Sequence, residues 1–333
     1  MVFAGEWARR AGSHQHHREG QNIRILVTGG AGFIGSHIIE RLLGDGHEVV
    51  CLDNFDPYYD PEIKRNNIRP FLENGNFTLE VGDIRNRDTL TRLLDGTDYV
   101  FHEAAQAGVR ISVDDPMKPH KVNATGTLNL LEAARDAGVE KIINASSSSV
   151  YGTVEYLPFD EGHLRRPVSP YGVSKLAAEE YCRVFSELYG LKSVSLRYFT
   201  VYGPRMRPDL AISIFTRKAL ANEPITIFGD GTKTRDFTNI EDIVRANLIA
   251  MQKGEGAYNI GGGHRVSIKT LAETIIEITG SASEIRYADA VKGDAEHTFA
   301  GTKKAERDLG WRPRVSLEKG LRRYAAWVSN SRS

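Results

Sequence analysis

The sequence predicts an α/β fold: a doubly wound parallel sheet followed by a smaller, irregular α/β lobe. Three observations support this prediction. Short apolar runs alternate with helical stretches from Ile23 onward, a glycine-rich loop follows the first run, and turn residues become frequent after Gly203. In such a sheet, right-handed crossovers place ligands at the carboxyl ends of the strands.

The elements are predicted in alternating order along the first two thirds of the chain. Strands are expected at residues 23–27, 49–52, 77–81, 99–101, 141–145 and 193–197, and helices at 36–43, 89–94, 122–137 and 174–189. Residues 22–198 would form the sheet lobe, with 236–260 packing back onto it. Residues 199–235 and 261–330 would form the second lobe.

Composition excludes several classes of partner. Lys plus Arg equals Asp plus Glu at 43 each in 333 residues, so no net charge favours nucleic acid or an anionic membrane. No apolar run reaches the ~18 residues that a membrane span requires. Cys51 and Cys182 lie in apolar segments, so neither a disulfide framework nor a zinc site is expected. A reducing, cytoplasmic location is predicted.

Residues 1–21 lack the apolar centre of a secretory signal and are expected to be a disordered tail. The tail contains His14, His16 and His17, which could bind a metal. Because a disordered tail or an upstream start explains the segment more simply, no metal site is predicted.

The first predicted strand runs into a glycine-rich loop that satisfies two spacings. Gly29, Gly32 and Gly35 give G-x-x-G-x-x-G, and Gly30 completes G-x-G-x-x-G. Glycines allow a tight turn and close approach of the backbone to a pyrophosphate at a helix N-terminus. Asp53 closes the second strand, where its carboxylate can bind both ribose hydroxyls of NAD and repel the 2′-phosphate of NADP. Residues 22–198 are therefore predicted to be an NAD-binding Rossmann-type domain.

A catalytic group is predicted at the next junctions. Tyr171 and Lys175 are four residues apart and share one face of a predicted helix. A tyrosine needs a neighbouring cation to act as a base near neutral pH. Residues 146–149 are serines that follow a buried strand, which places their hydroxyls at its carboxyl end. Tyr-x-x-x-Lys alone is usually only a helix face, but the glycine loop and the serine run favour a catalytic site.

From Ile23 to about Trp327, the sequence resembles the extended short-chain dehydrogenase/reductases of the NAD-dependent sugar epimerase/dehydratase family. The resemblance implies that Ser147, Tyr171 and Lys175 form the family's Ser/Thr-Tyr-Lys triad. Tyr171 would take the proton from the sugar O4 while the C4 hydride passes to NAD, and Ser147 would hydrogen-bond the same oxygen. Lys175 would lower the pKa of Tyr171 and hold the nicotinamide ribose.

Further contacts to a tightly bound, regenerated NAD are implied by the same resemblance. Asp83, after the third strand, is expected at the adenine edge. The other expected cofactor residues are Phe33, Ile34, Asn54, Ile84, Ala104, Ala105, Gln106, Asn123 and Tyr198.

The serine run discriminates among the reactions of the family. Members that dehydrate a 4-keto sugar carry acids where this chain has Ser148 and Ser149, and the related decarboxylases keep one of them. Without those acids, the 4-keto intermediate can only take its hydride back. Return to the opposite face inverts C4, so a 4-epimerase is predicted rather than a dehydratase or decarboxylase.

Segments 53–60, 104–110 and 200–205, with Lys64 and Arg65, resemble those of UDP-glucuronate 4-epimerases. Residues 147–149 and Thr200 could donate hydrogen bonds to the C6 carboxylate. The predicted reaction is therefore conversion of UDP-glucuronate to UDP-galacturonate. A UDP-glucose/UDP-galactose or N-acetylhexosamine 4-epimerase is the alternative, followed by a nucleotide-sugar dehydratase or decarboxylase and a non-catalytic NAD sensor.

The second lobe is expected to bind the nucleotide of the UDP-sugar. By resemblance, Phe228 would stack on uracil, Arg235 would contact the diphosphate, and Arg207 and Asp294 would complete the substrate site.

A homodimer is also implied, with a four-helix contact built from residues 122–137 and 174–189. The apolar positions Leu128, Leu131, Leu176 and Val184 could serve that contact or the intramolecular core.

Overall fold

The computed structural model of the chain describes residues 23–289 and 296–330. The expected tail and Asp294 lie outside these residues. The strands are β1 (Arg24–Thr28), β2 (Glu48–Asp53), β3 (Phe77–Val81), β4 (Tyr99–His102), β5 (Lys141–Ser147), β6 (Lys192–Tyr198), β7 (Thr200–Tyr202), β8 (Ile225–Phe228), β9 (Thr234–Arg235), β10 (Phe237–Asn239), β11 (Gly256–Ile260), β12 (Val266–Ser267) and β13 (Ile285–Ala288).

The helices alternate with these strands and then dominate the C-terminal third. They are α1 (Phe33–Gly44), α2 (Pro61–Ile68), α3 (Arg87–Leu94), α4 (Val109–Asp114), α5 (Met117–Pro119), α6 (Gly126–Ala137), α7 (Pro170–Tyr189), α8 (Ala211–Leu220), α9 (Ile240–Gln252), α10 (Ile268–Thr279), α11 (Lys303–Leu309) and α12 (Leu317–Asn330). A π-helical turn (His120–Thr125) leads into α6, and 3₁₀ turns occur at Arg69–Phe71 and Ser148–Val150.

The central sheet has seven strands in the order β11-β6-β5-β4-β1-β2-β3, and all of its pairings are parallel. The chain fills one side of β1 with β2 and β3, then crosses to β4 on the other side. This topological switch, at the carboxyl ends of β1 and β4, is where such sheets bind their ligands. The predicted doubly wound α/β fold is confirmed.

Both faces of the sheet are covered, which explains why its strands read as continuous apolar runs. One core packs against α1 and α9 and contains Ile38 and Ile243. The other packs beneath α3, α6 and α7 and contains Leu90 and Leu131. Leu131 is fully buried, which places it in the intramolecular core.

Several helices begin earlier than their apolar periodicity indicated, because polar caps set their starts. Helix α7 begins at Pro170, and the hydroxyl of Ser169 accepts a hydrogen bond from the backbone N–H of Gly172 at 3.1 Å. Helix α3 begins at Arg87 after the cap Asn86. The single helix expected over 122–137 is divided into the π-helical turn and α6.

The rest of the chain makes smaller pairings around this sheet. Strand β11 joins its edge beside β6, and α9 packs against α1. The parallel pair β8–β13 and helices α8, α10 and α12 form a separate layer. No helix in the described ranges is long and apolar enough to cross a membrane.

Candidate active site

The backbone of the glycine-rich loop is packed so closely that its glycine positions leave no room for a side chain. Gly29 has a φ of +66°, and a Cβ there would lie 2.6 Å from the backbone nitrogen of Ala104. A Cβ on Gly35 would lie 2.5 Å from the carbonyl oxygen of Gly29. Helix α1 then begins at Phe33 without a side-chain cap, so its first turn can offer N–H groups to a phosphate. This geometry fits the pyrophosphate of a dinucleotide.

Asp53 is fixed beneath that loop. Its carboxylate accepts hydrogen bonds from the backbone N–H groups of Ala31 (3.1 Å) and Phe55 (2.8 Å), and it is 5% exposed. The ammonium of Lys64 lies 3.5 Å away. A carboxylate has about four acceptor positions, so Asp53 can still bind ribose hydroxyls. The sequence analysis named Lys64 only as part of a stretch that resembles UDP-glucuronate 4-epimerases. Its ion pair with Asp53 forms because α2, which carries Lys64, folds back towards the end of β2.

Asp83 lies beside the end of β2. It accepts a hydrogen bond from Asn54 Nδ2 at 2.8 Å. Hydrogen bonds from Arg85 hold the pKa of Asp83 down at about 2. The neighbouring Ile84 is buried against α6, where a Cβ on Gly126 would contact it at 2.6 Å. The structure therefore brings Asn54 and Asp83 together, and their contact with the adenine stays a prediction.

The three residues expected to catalyse the reaction meet where β5 ends and α7 begins. Ser147 is the last residue of β5 and hydrogen-bonds Tyr171, in the first turn of α7. Lys175 lies one turn further along α7, and its Nζ donates to the carbonyl of Ala145 at 2.7 Å. A tyrosine hydroxyl, a serine hydroxyl and an ammonium thus converge at the carboxyl edge of the sheet.

Asn123 links this group to the segment after β4. Its side chain is fully buried, accepts a hydrogen bond from the backbone N–H of Gln106 (2.7 Å) and donates to the Ser174 hydroxyl (2.9 Å). Ala104 and Ala105 precede Gln106 and lie against the glycine loop, where Ala104 N donates to Thr28 Oγ1 at 3.3 Å. Asn123 lies in the π-helical turn that leads into α6.

The electrostatic environment shifts both titratable groups of α7. Burial raises the pKa of Tyr171, while the hydrogen bond from Ser147 and the charge of Arg207 lower it. Burial lowers the pKa of Lys175 to about 8, against the opposing field of Glu103. The ammonium of Lys175 is directed to a carbonyl, so its predicted effect on the pKa of Tyr171 stays a prediction.

The residues expected to hold a sugar carboxylate surround the same edge. Ser148 and Ser149 form a 3₁₀ turn, with Ser149 N donating to Ser147 Oγ at 3.1 Å. Thr200 begins β7, two residues beyond the β6 partner of Ser147. The guanidinium of Arg207, whose side chain is 19% exposed, pairs with Asp209 at 3.0 Å. This edge therefore carries serine and threonine hydroxyls, and both Nε and Nη2 of Arg207 are bound to Asp209.

The second lobe contributes an aromatic ring and an arginine. Phe228 ends β8, is 50% exposed, and has the guanidinium of Arg110 over its ring at 5.5 Å. Arg235 lies in β9 and donates to the carbonyl oxygens of Thr234 (2.9 Å) and Glu296 (3.3 Å). Arg110 was not expected to interact with Phe228, because the two residues are far apart in sequence.

Glu103 is the main residue that sequence reasoning missed. It follows β4 and is largely buried, and Oε1 of its carboxylate accepts a hydrogen bond from the Tyr198 hydroxyl at 2.9 Å. Tyr198 was expected only as a cofactor contact. Among the described residues, no group of three or more His, Cys, Asp or Glu side chains is arranged to hold a metal ion.

These features define an NAD-binding enzyme of the short-chain dehydrogenase/reductase type, and comparison with known proteins agrees. The chain belongs to the NAD dependent epimerase/dehydratase family, whose model matches residues 25–261. Family membership confirms the predicted resemblance, the enzyme class and NAD as the cofactor.

Three relatives illustrate the range of similarity. A putative UDP-glucose 4-epimerase of Methanocaldococcus jannaschii is 40% identical over 312 residues, covering 92% of this chain and 99% of that protein. A UDP-glucuronate 4-epimerase of Thermodesulfobacterium geofontis is 39% identical over 307 residues, covering 91% and 95%. The crystal structure of UDP-glucuronic acid 4-epimerase from Bacillus cereus, with UDP-glucuronic acid and NAD, has a TM-score of 0.88 and 38% identity and covers 93% of this chain and 100% of that one.

Proposed function

We propose that this protein is a UDP-sugar 4-epimerase that interconverts UDP-glucuronate and UDP-galacturonate. The observation that carries the proposal is the turn at the end of β5, where Ser147 hydrogen-bonds Tyr171 and is followed by Ser148 and Ser149. These hydroxyls can bind a carboxylate, and they cannot serve as the acid and base of a dehydration. Named UDP-glucuronate 4-epimerases among the relatives and solved structures support the same substrate.

In the proposed reaction, Tyr171 accepts the proton of the sugar O4 hydroxyl and later returns it. Ser147 holds the same oxygen through its hydroxyl, and Lys175 supplies a positive charge one turn from Tyr171. Bound NAD supplies a hydride acceptor for C4 and a donor for its return. Rotation of the 4-keto sugar in the site would let the hydride return to the opposite face, which would invert the configuration at C4.

Retention of the sugar carboxylate is the second requirement, since oxidation at C4 makes glucuronate a β-keto acid that loses carbon dioxide readily. Hydroxyls of residues 147–149 and of Thr200 are proposed to hold the carboxylate in one pose. Arg207 adds a cation whose field already reaches Tyr171. None of the three serines can donate the proton that decarboxylation would need, because their hydroxyls are far too weak as acids.

Residues 199–235 and 261–330 are proposed to bind the nucleotide, with Phe228 stacking on uracil and Arg235 meeting the diphosphate. The exposed ring of Phe228 and the fork geometry of an arginine suit those partners. Residues 22–198, with 236–260, are proposed as the NAD-binding domain, and Asp53 as its ribose contact.

A homodimer through α6 and α7 and a cytoplasmic location are also proposed. Helix α7 exposes Val173 (55%), Leu188 (69%) and Tyr189 (51%), which a second copy would cover. Cys51 and Cys182 are free and buried, in keeping with a reducing compartment. Light scattering of wild type and Leu188→Glu tests the dimer, which the charge should dissociate.

The experiment that decides the substrate is incubation of the purified enzyme with UDP-glucuronate, UDP-glucose and UDP-N-acetylglucosamine, with products identified by NMR. Inversion of UDP-glucuronate at C4 without loss of carbon dioxide is the expected result. Conversion of UDP-glucose to UDP-galactose with UDP-glucuronate untouched would refute the glucuronate assignment and favour the relative named as a UDP-glucose 4-epimerase.

A further inference from the structure

Asp209 is a carboxylate beside the proposed sugar site, and the proposed reaction gives it no role. Both of its oxygens accept hydrogen bonds from Arg207: Nε donates to Oδ1 at 3.0 Å, and Nη2 donates to Oδ2 at 3.1 Å. Two parallel hydrogen bonds fix the plane of a guanidinium as well as its place. The orientation of the Arg207 side chain is therefore set by Asp209, and Nη1 is the nitrogen outside this pair.

Tyr58 joins the same pair from a distant part of the chain. Its hydroxyl donates to Asp209 Oδ2 at 2.9 Å, and the two residues are 151 positions apart. Its ring lies under the guanidinium, with Cζ of Arg207 at 5.3 Å from the ring centroid. Tyr58 thus contacts both charged groups, the carboxylate through its hydroxyl and the cation through its ring face.

The position of Tyr58 is fixed by the segment that follows the proposed ribose contact, Asp53. The side chain of Asn54 accepts a hydrogen bond from the backbone N–H of Asp56 at 3.0 Å, and the side chain of Asp56 accepts one from the backbone N–H of Tyr58 at 2.9 Å. The ammonium of Lys118 also lies 3.1 Å from the Asp56 carboxylate. Successive side-chain to backbone bonds of this kind hold a loop in one conformation.

Gly108 leaves room for the Tyr58 hydroxyl. The φ of Gly108 is +109°, and a Cβ there would lie 2.8 Å from that hydroxyl oxygen. A side chain at position 108 would therefore displace the tyrosine from Asp209. Segments that follow β2, β4 and β7 thus meet at the Asp209–Arg207 pair, at the carboxyl edge where the catalytic group lies.

Burial and charge agree with this arrangement. The side chain of Arg207 is 19% exposed and that of Asp209 is 40% exposed, so the guanidinium is on the inner side of the pair. Burial raises the pKa of Tyr171, and the positive charge of Arg207 opposes that rise. Burial also acts to raise the pKa of Asp209, but the hydrogen bonds from Arg207 and Tyr58 lower it overall, so the carboxylate stays charged.

We propose that Asp209 and Tyr58 are positioning residues that hold the guanidinium of Arg207 in the orientation in which it meets the UDP-sugar. The proposal rests on the proposed role of Arg207 in substrate binding. An unrestrained arginine side chain loses rotational freedom when it binds a ligand, which weakens binding. The pair with Asp209 removes that freedom during folding, and Tyr58 ties the pair to the NAD-binding segment.

The first test measures KM and kcat for wild type, Asp209→Asn and Tyr58→Phe, with the UDP-sugar that the wild-type enzyme converts. Asp209→Asn removes the charge and one acceptor oxygen. Its KM should rise about 3- to 10-fold, which corresponds to ordering one long side chain, and kcat should change little. Tyr58→Phe keeps the ring and should give a smaller rise. An unchanged or lowered KM in Asp209→Asn would overturn the proposal.

The matched control is Asp45→Asn. Nε of Arg41 donates to both oxygens of Asp45 at 3.0 Å and 2.9 Å, so this substitution removes a similar pair from the surface of α1. Its KM should equal that of wild type. A rise in KM as large as that of Asp209→Asn would show that loss of any such pair weakens binding, and would overturn the proposal.

The second test is a double-mutant cycle on the Kd for the same UDP-sugar, measured by titration calorimetry of the NAD-loaded protein, so that it needs no turnover. Asp209→Asn should weaken binding in the wild-type background and have no further effect in Arg207→Gln, because Asp209 acts through Arg207. Equal weakening in both backgrounds would indicate a general structural role for Asp209 and would overturn the proposal.

Arg207→Gln alone separates this inference from the proposed function. If Arg207→Gln binds the UDP-sugar as tightly as wild type, the proposed substrate role of Arg207 is wrong, and the inference falls with it. If Arg207→Gln binds more weakly and Asp209→Asn binds as wild type does, only the positioning roles of Asp209 and Tyr58 are wrong.

Discussion

Two clusters of buried charged groups lie one helical turn apart, and they differ in how completely they are neutralised. The Glu179 cluster joins Glu179 on α7 to Arg197 on β6. The Lys175 cluster contains Lys175 on α7, Glu103 after β4, whose field acts on Lys175, and Tyr198, the residue after Arg197 on β6, which hydrogen-bonds Glu103. The same helix and the same strand thus supply neighbouring positions to both clusters.

In the Glu179 cluster every charge is matched. Arg197 Nε donates to Glu179 at 3.0 Å, the Ser146 hydroxyl donates at 2.7 Å, and Arg197 Nη1 donates to the Tyr151 hydroxyl at 2.7 Å. The side chains of Arg197 and Glu179 are 3% and 5% exposed. Burial opposes the charge of Arg197, yet its hydrogen bonds with Glu179 raise its pKa overall. The guanidinium of Arg197 therefore stays charged in its buried position.

In the Lys175 cluster burial prevails, and both pKa values move towards neutrality. The pKa of Glu103 rises to about 7, and the pKa of Lys175 falls to about 8. Each unit of such a shift corresponds to about 1.4 kcal/mol, so the cluster reduces the stability of the folded protein. Perturbed groups of this kind gather at functional sites. The paired charges of the Glu179 cluster are suited to holding α7 against β6. The Lys175 cluster instead contains groups whose protonation can change near neutral pH.

The largest expected effect comes from Tyr171→Phe, which tests whether the Lys175 cluster performs chemistry. Loss of the hydroxyl removes the proton acceptor, and turnover should fall by about 10²- to 10⁴-fold. Thermal stability and NAD content, measured by denaturation and by absorbance of the released cofactor, should stay close to wild type. Turnover equal to wild type would remove the catalytic assignment from this cluster.

Glu179→Ala, in the Glu179 cluster, should reduce the stability of the fold rather than remove a reacting group. It leaves Arg197 buried without its partner, which should cost about 3 to 5 kcal/mol in the free energy of unfolding. Urea denaturation measures this loss, and Glu180→Ala is the matched control, because its partners Arg165 and Arg183 are exposed. A loss no larger than that of the control would show that the Glu179 cluster is not structural.

Thr200→Val tests whether the hydroxyl of Thr200, two residues after Tyr198, binds the sugar carboxylate. Loss of a hydrogen bond to a charged group costs about 1.5 to 3 kcal/mol, so the KM for UDP-glucuronate should rise roughly 10- to 100-fold. Release of the decarboxylated pentose product should also increase, as NMR would show. Thr200→Ser retains the hydroxyl and serves as the control. An unchanged KM with no added pentose would exclude Thr200 from carboxylate binding.

The smallest expected effect is that of Arg183→Ala, on the outer face of α7 beyond Glu179. Arg183 pairs with Glu187 at 2.7 Å, and both side chains are at least half exposed. Such helix pairs contribute about 0.3 to 0.5 kcal/mol and weaken with salt. Urea denaturation at low and high ionic strength should show a small loss in the free energy of unfolding that becomes smaller as salt is added. A loss above about 1 kcal/mol would place Arg183 within the structural cluster.

The local parts of the site could be predicted because their geometry is encoded over a few residues. The turn from β1 into α1 requires glycines, and a Cβ at Gly29 or Gly35 would collide with backbone. Tyr171 and Lys175 share a helix face because they are four residues apart. Ser147 meets Tyr171 because β5 ends at the edge of the sheet where α7 begins.

The contacts of Glu103 could not be predicted in this way. Tyr198 is 95 residues away, on a strand two positions across the sheet. Nothing in the apolar run before Glu103 marks it as buried and paired, since an acid after a strand is equally common in solvent. The same holds for Arg110 over Phe228 and for Lys64 beside Asp53.

The sequence by itself determined the doubly wound sheet, the dinucleotide loop and the preference for NAD, because each follows from the periodicity or spacing of residues near one another in the chain. The family resemblance, and not spacing alone, singled out Ser147, Tyr171 and Lys175. Only the tertiary structure decided which distant polar groups meet: Glu179 with Arg197, and Glu103 with Tyr198. Burial and pairing set the pKa of each group, and both depend on which strands lie side by side. That is why the burial and protonation of Lys175 could be addressed only in the folded chain.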